Sequence, residues 1–206
     1  MNTYPVITIS REYGSGGRLI GKRLAEELGL PFYDKDLITR AAADSGLSPE
    51  VLEAAEDQAP SSLLYTLSTG GLTGMVGGVG MPLSDRLFLA QFDAIRKIAA
   101  EGPCVIVGRC SNYVLRERPG ALHFFIHADL DSRIERIIKE YGVPEKEAEA
   151  KIAKTDKRRA SYYNHYTSVK WGDARNYHLS INSAALGIEG TVALCRDFVT
   201  AYRRQH

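Results

Sequence analysis

Three glycines between a β-branched run and an amphipathic run are the residues whose types and spacing most directly suggest chemistry. Gly14, Gly16 and Gly17 lie in Ser10-Arg11-Glu12-Tyr13-Gly14-Ser15-Gly16-Gly17-Arg18-Leu19, directly after Val6-Ile7-Thr8-Ile9. Glycine takes positive φ without steric cost, so successive backbone N–H groups can turn inward as an anion nest. A helix starting behind such a loop aims its positive end at the same anion. The chemistry on offer is phosphate binding; the same glycines also suit a bare strand-to-helix turn. Gly16 to Lys22 formally spells GxxxxGK, but Arg23 stands where Ser or Thr is required, and Lys22 falls on the second turn of the helix. That register is rejected.

Charged residues at other predicted strand ends and helix faces form a second group. Asp34 closes the apolar Pro31-Phe32-Tyr33 and opens a run that includes Arg40, either as a ligand clamp or as a helix N-cap. Arg109 ends the most apolar strand candidate, Gly102 to Arg109, where a planar guanidinium suits bidentate phosphate binding or a surface ion pair. Arg133, Arg136 and Lys139 share one helix side at three-residue spacing. Arg158 and Arg159 end a charged helical run and lead into Ala160-Ser161-Tyr162-Tyr163.

The elements that must position these residues follow from periodicity. Strands are expected at Val6–Ile9, Pro31–Asp34, Gly102–Arg109, Leu122–His127 and Tyr177–Ser183. Helices are expected over Leu19–Leu28, from Asp34, from Ser48-Pro49, and over Leu83–Ala100, Ser132–Tyr141, Pro144–Arg159 and Thr191–Arg204. The helix from Pro144 alternates acids and bases and is expected to be exposed and laced by pairs four apart. Residues 66–82 hold six glycines among seventeen residues, which suits either a flap or a plain connection.

Composition bounds the rest. With 206 residues, one domain is the default; 44% hydrophobic and 25% charged residues describe a soluble chain. A net charge of +1 gives no bulk attraction to nucleic acid or to anionic membrane. No apolar run reaches membrane-spanning length, and the start lacks a charged-then-apolar leader, so a cytoplasmic protein is expected. Cys104, Cys110 and Cys195 form no CxxC pair, and the five histidines show no ligand spacing, so idle thiols and no protein-held metal are expected.

The chain resembles nucleoside monophosphate kinases, and among them cytidylate kinases, whose loop reads V-I-x-I-D-G-P-S-G-x-G-K-[GS]-T before an L-A-x-x-L helix. Val6 to Ile9 and Leu24-Ala25-Glu26-Glu27-Leu28 match both flanks without a gap, and Gly14 and Gly16 match two loop glycines. Gly17 stands in place of the phosphate-binding Lys, Arg18 follows it, and Leu19 replaces the Thr. The pattern S-R-E-x-G-S-G-G, with Asp156 to Tyr163 and Trp171-Gly172-Asp173, is similar to a distinct branch, the cytidylate kinase-like proteins.

The resemblance implies an α/β, three-layer P-loop NTPase fold: a five-stranded parallel sheet with helices on both faces. It also implies one domain, with a core of 1–35, 101–140 and 176–206, an acceptor-side helical insertion over 36–100 and a lid over 141–175. ATP phosphates would sit on Arg11, Tyr13, Gly14, Ser15, Gly16, Gly17, Arg18 and Leu19, with adenine near Asn182, Ser183 and a loop through Ile188. Arg18, Arg133, Arg136, Arg158 and Arg159 would serve the transferred phosphoryl group, and Asp34, Arg40 and Arg109 the acceptor. Mg²⁺ would be held mainly by ATP phosphates and water. Arg11, Arg18 or Lys22 would replace the missing lysine charge, and Cys110, in place of an Asp, leaves the acceptor base open.

The expected function is ATP-dependent phosphorylation of a nucleoside monophosphate or a related small phosphate acceptor. Loss of the loop Lys and Thr favours a rival, a nucleotide-binding sensor or assembly module with little turnover. RNA stacking on the arginine and tyrosine lid is a third reading, disfavoured by the near-zero charge. Partners are small nucleotides, with no nucleic acid or membrane, on a monomer or homodimer.

Overall fold

The computed structural model describes residues 4–34 and 82–205. Expectations for the helices from Asp34 and Ser48, for Arg40, and for nearly all of the glycine-rich 66–82 stretch lie outside the described residues. Among the described residues there are five strands: β1 (Ile7–Arg11), β2 (Phe32–Tyr33), β3 (Val105–Val107), β4 (Leu122–His127) and β5 (Leu179–Asn182). All pair in parallel in the order β2-β3-β1-β4-β5. Ile7 faces Val105 on one side and Leu122 on the other, and Ile9 faces Val107 and Phe124.

Side chains alternate across a strand, so this register splits the sheet into two apolar faces. Ile7, Ile9, Val105, Val107, Leu122, Phe124 and Ile126 pack against Ile20, Leu24 and Leu28 of α1 (Gly17–Leu28) and against Val192, Cys195 and Val199 of the last helix. On the other face, Val6, Cys104 and Ile106 meet Ile95, Ile98 and Ala99 of α2 (Leu83–Glu101), and Val114 of the short α3 (Ser111–Val114). Helices therefore cover both faces, as expected. The carboxyl half of α2 packs on this face of the sheet through Ile95, Ile98 and Ala99.

Two long helices lie beyond β4. The helix α4 (Leu130–Tyr141) starts two residues earlier than expected, because the Asp129 side chain accepts the Ser132 N–H at 2.9 Å and caps it. The helix α5 (Glu145–Thr167) packs Ala148 and Ile152 on Ile137 and Val143. Its expected four-apart ion pairs are not formed among the described residues; the ion pair within it is Arg159 with Asp156, three apart, at 3.8 Å. Arg133, Arg159 and the loop backbone draw Asp156 inward.

The final helix α6 (Ser183–Gln205) corrects a further expectation. Ala184 to Ile188 is not a free loop. The Asn182 side chain accepts the Ala184 N–H at 3.0 Å and starts the helix directly after β5. A break follows at Gly187 (φ 66°, ψ 178°), a backbone region essentially restricted to glycine.

Candidate functional site

Ligands of open parallel sheets gather outside the carboxyl ends of the strands. Here those ends carry Arg11 on β1, Asp34 after β2 and Gly108-Arg109-Cys110 after β3. Gly14 (φ 79°) and Gly16 (φ 77°) turn left-handed as the nest requires. Gly17 does not: it is the first residue of α1 with ordinary φ, which corrects the expectation of three permissive turns. Among the described residues, nothing accepts the Gly14 or Gly16 N–H, whereas the Gly17 N–H that opens α1 donates to the Ser15 hydroxyl at 3.4 Å.

The loop is braced from every side. Ser15 donates to the Glu12 carbonyl at 2.9 Å, and the buried Ser183 hydroxyl lies 2.6 Å from the Ser15 carbonyl and 3.2 Å from that of His127. Arg136 donates to the Gly14 carbonyl at 2.6 Å. Arg133 bridges the Asp156 carboxylate (2.5 Å) and Glu12 (3.3 Å), with a side chain only 11% exposed. Asp156 also accepts the Tyr13 N–H at 2.7 Å, which ties α5 to the nest. Ser183, Arg133 and Arg136 thus hold the loop's shape, and Asn182 caps a helix.

Positive charge collects where β1, β3 and α5 meet. Arg159 donates to the Arg11 carbonyl at 3.1 Å and lies 5.6 Å from the Tyr13 ring centre, with burial lowering its pKa. Burial, then the nearby Arg159 and Arg109, drive the Arg11 guanidinium down to about 9, with Asp34 the acidic neighbour opposing them. Arg18 forks onto Asp34 (Nε 2.9 Å, Nη2 2.6 Å), which turns it toward the carboxyl end of β2. Arg158 is exposed, as is Lys22, whose partner is Glu26 at 3.9 Å. The structure gathers Arg11, Arg18, Asp34, Arg109 and Arg159, and leaves Arg158 outside the group.

Arg109 (φ 54°) and Cys110 (φ 57°) are both left-handed, a sparsely populated state for non-glycine residues. This turn sends Arg109 toward Tyr162, which it hydrogen-bonds. Tyr162 in turn donates to Gln91 of α2 at 3.3 Å. Cys110 is buried and its thiol is pushed up to about 12, so it offers no nucleophile. Beneath it, Asn112 donates to Tyr163 at 2.8 Å and fixes α5 over the strand ends. Sequence reasoning missed Glu12, Asp156, Tyr162 and Gln91 as site-building groups, since Asp156 sits in a run of alternating charges that does not single it out.

A parallel sheet in this order, with a glycine nest between β1 and α1, defines a P-loop kinase-type fold. Residues 6–185 match the cytidylate kinase-like family, and the chain belongs to that family. It is 26% identical over 192 residues to a cytidylate kinase of Pyrococcus horikoshii, covering 93% of this chain and 86% of that one. Among solved structures it is similar to an uncharacterized protein from Eubacterium ventriosum (TM-score 0.72, 29% identity, covering 95% of this chain and 98% of that one). A shikimate kinase from Bacteroides thetaiotaomicron shares the fold (TM-score 0.51, 15% identity, covering 95% and 98%). Family and fold together support nucleotide-dependent phosphoryl transfer as the general class of reaction.

Proposed function

We propose that the protein transfers the terminal phosphoryl group of ATP to a nucleoside monophosphate, cytidylate-like, or to a related small phosphate acceptor. The observation that carries this reading is charge imbalance at one place. Arg11, Arg18, Arg109 and Arg159 gather at the strand ends, where Asp34 pairs with Arg18 and Asp156 lies 3.8 Å from Arg159, beside a nest whose Gly14 and Gly16 amides have no acceptor among the described residues. Four guanidinium groups beside backbone amides that have no acceptor suit a polyanion, and a polyphosphate supplies one.

Transfer of this kind needs in-line positioning and positive charge rather than a protein nucleophile. The nest would hold the β- and γ-phosphates, Arg159 would stabilise the migrating group, and Asp34, Arg40 and Arg109 would orient the acceptor. Mg²⁺ would be carried by the phosphates and water, since Leu19 offers no hydroxyl where related loops carry Thr. A second reading, a nucleotide-binding module with little turnover, is favoured by the missing lysine and by Asp156, whose carboxylate already holds the Tyr13 amide.

A coupled assay of ADP release against a panel of nucleoside monophosphates tests the proposal. Turnover with at least one acceptor supports the enzyme. ATP uptake with no phosphate reaching any acceptor supports the module.

A further inference from the structure

In the P-loop pattern GxxxxGK, the first glycine and the lysine lie six residues apart in sequence. In the register of this nest those positions are Arg11 and Gly17: the small residue and the cation have changed places. We infer that this is a steric exchange, in which the Arg11 side chain occupies the corridor a lysine at position 17 would use and delivers the phosphate-binding charge from β1. The inference deepens the nucleotide reading above and rests on it for the identity of the anion.

Gly17 shows the exclusion directly. Its φ is ordinary, so space rather than backbone freedom requires glycine there. A Cβ at position 17 would stand 2.5 Å from the Arg11 Cβ, 3.1 Å from its Cγ and 3.2 Å from the Ile126 Cβ. The first contact is with an atom fixed to the β1 backbone, which cannot swing aside. Even alanine at position 11 retains that Cβ, so only glycine there makes room for a side chain at position 17. The two positions are therefore coupled: Arg with Gly, or Gly with Lys.

The arginine ends where the charge is needed. Its stem passes Gly17, and its Nη1 reaches Gly108 at the end of β3, so closely that a Cβ at Gly108 would overlap it. This sets the guanidinium beside Gly108, within electrostatic reach of Arg109, with Arg159 held on the Arg11 carbonyl. No carboxylate forms an ion pair with Arg11 among the described residues. Arg18 is committed to Asp34, with a side chain 60% exposed, and Lys22 lies on the solvent side of α1, 56% exposed, so neither is placed to do the same work.

The test measures Mg·ATP and inorganic tripolyphosphate binding by calorimetry, with thermal melting of every variant. Arg11→Gln, which keeps the stem against Gly17 and removes the charge, is expected to weaken both ligands at least tenfold at near-unchanged melting temperature. Gly17→Lys alone is expected to melt well below the wild type, and the double variant Arg11→Gly with Gly17→Lys to regain melting and affinity within about threefold of the wild type. Lys22→Ala is expected to bind as the wild type does. Wild-type affinity in Arg11→Gln, or a double variant no better than Gly17→Lys alone, overturns the inference. Recovery of melting without affinity overturns it too, since the lysine would then fit and supply nothing. Wild-type uptake of tripolyphosphate but not ATP removes the nucleotide reading and leaves the exchange to be decided with tripolyphosphate; uptake of neither overturns both.

Discussion

Replacing Asp156 with Asn keeps the side chain's shape and removes one charge at the point where α5 meets the nest. The carboxylate is 17% exposed and binds Arg133 at 2.5 Å and the Tyr13 N–H at 2.7 Å. Breaking a buried ion pair costs about 3–5 kcal/mol when the partner is left alone. Arg133 is not left alone, because Glu12 remains 3.3 Å away, so a smaller loss of about 2 kcal/mol applies. Weakening the charge-assisted bond from Tyr13 adds about 1 kcal/mol, for a total near ~3 kcal/mol. In a domain of this size each kcal/mol shifts the melting temperature by about 2–4 °C, giving a drop of about 6–12 °C. Circular dichroism melts at low and moderate salt would measure it, and the drop should survive added salt because the pair is largely shielded from water. Glu135→Gln is the control: its partner Lys139 and it are 71% and 64% exposed, and the melt should move by under about 1–2 °C. An Asp156→Asn protein that melts within about 1 °C of the wild type would refute the argument that this carboxylate fastens helix to loop.

Three further outcomes are expected. His123 is buried against Thr8 (2.8 Å), and burial, then the nearby His178, lowers its pKa to about 4. Between 6.5 and about 4 the unfolded chain binds the proton and the folded one does not. Stability is therefore complete above pH 6.5 and falls as the pH drops, by up to about 3 kcal/mol, and denaturant melts of His123→Gln should show a flatter profile. Arg159→Ala should lower kcat by at least about 100-fold while ATP affinity moves far less, as steady-state kinetics beside calorimetry would show; equal losses contradict its role at the migrating phosphoryl group. Cys104, Cys110 and Cys195 are buried with thiols pushed up to about 12, so a thiol-reactive dye should label the native protein slowly at pH 8 and rapidly in denaturant.

The sheet, its strand sites and most helices were legible because each buries an apolar set at a fixed period, as Ile7 and Ile9 or Ile20, Leu24 and Leu28 do. Boundaries were less legible where a polar side chain decides them: Asp129 starts α4 early, and Asn182 turns an expected loop into helix. The nest was readable from Gly14 and Gly16, whereas Gly17 looked like a third permissive turn. Its actual reason is an approach by Arg11, which depends on how β1 and α1 meet in space. The resemblance assigns Arg133 and Arg136 to the transferred phosphoryl group, and nothing in their spacing says that they hold the Tyr13 and Gly14 carbonyls and the Asp156 carboxylate. Asp156, in a run of exposed charges, has no periodicity to betray its inward turn.

The central claim is that main-chain amides and a ring of arginines grip a nucleotide's phosphates with no loop lysine. Titrating the wild-type chain with Mg·ATP in a calorimeter tests it most directly. The account predicts one saturable site per chain, whose affinity falls steeply when Arg11 loses its charge. Flat heats up to millimolar ATP, and likewise with GTP, would contradict it.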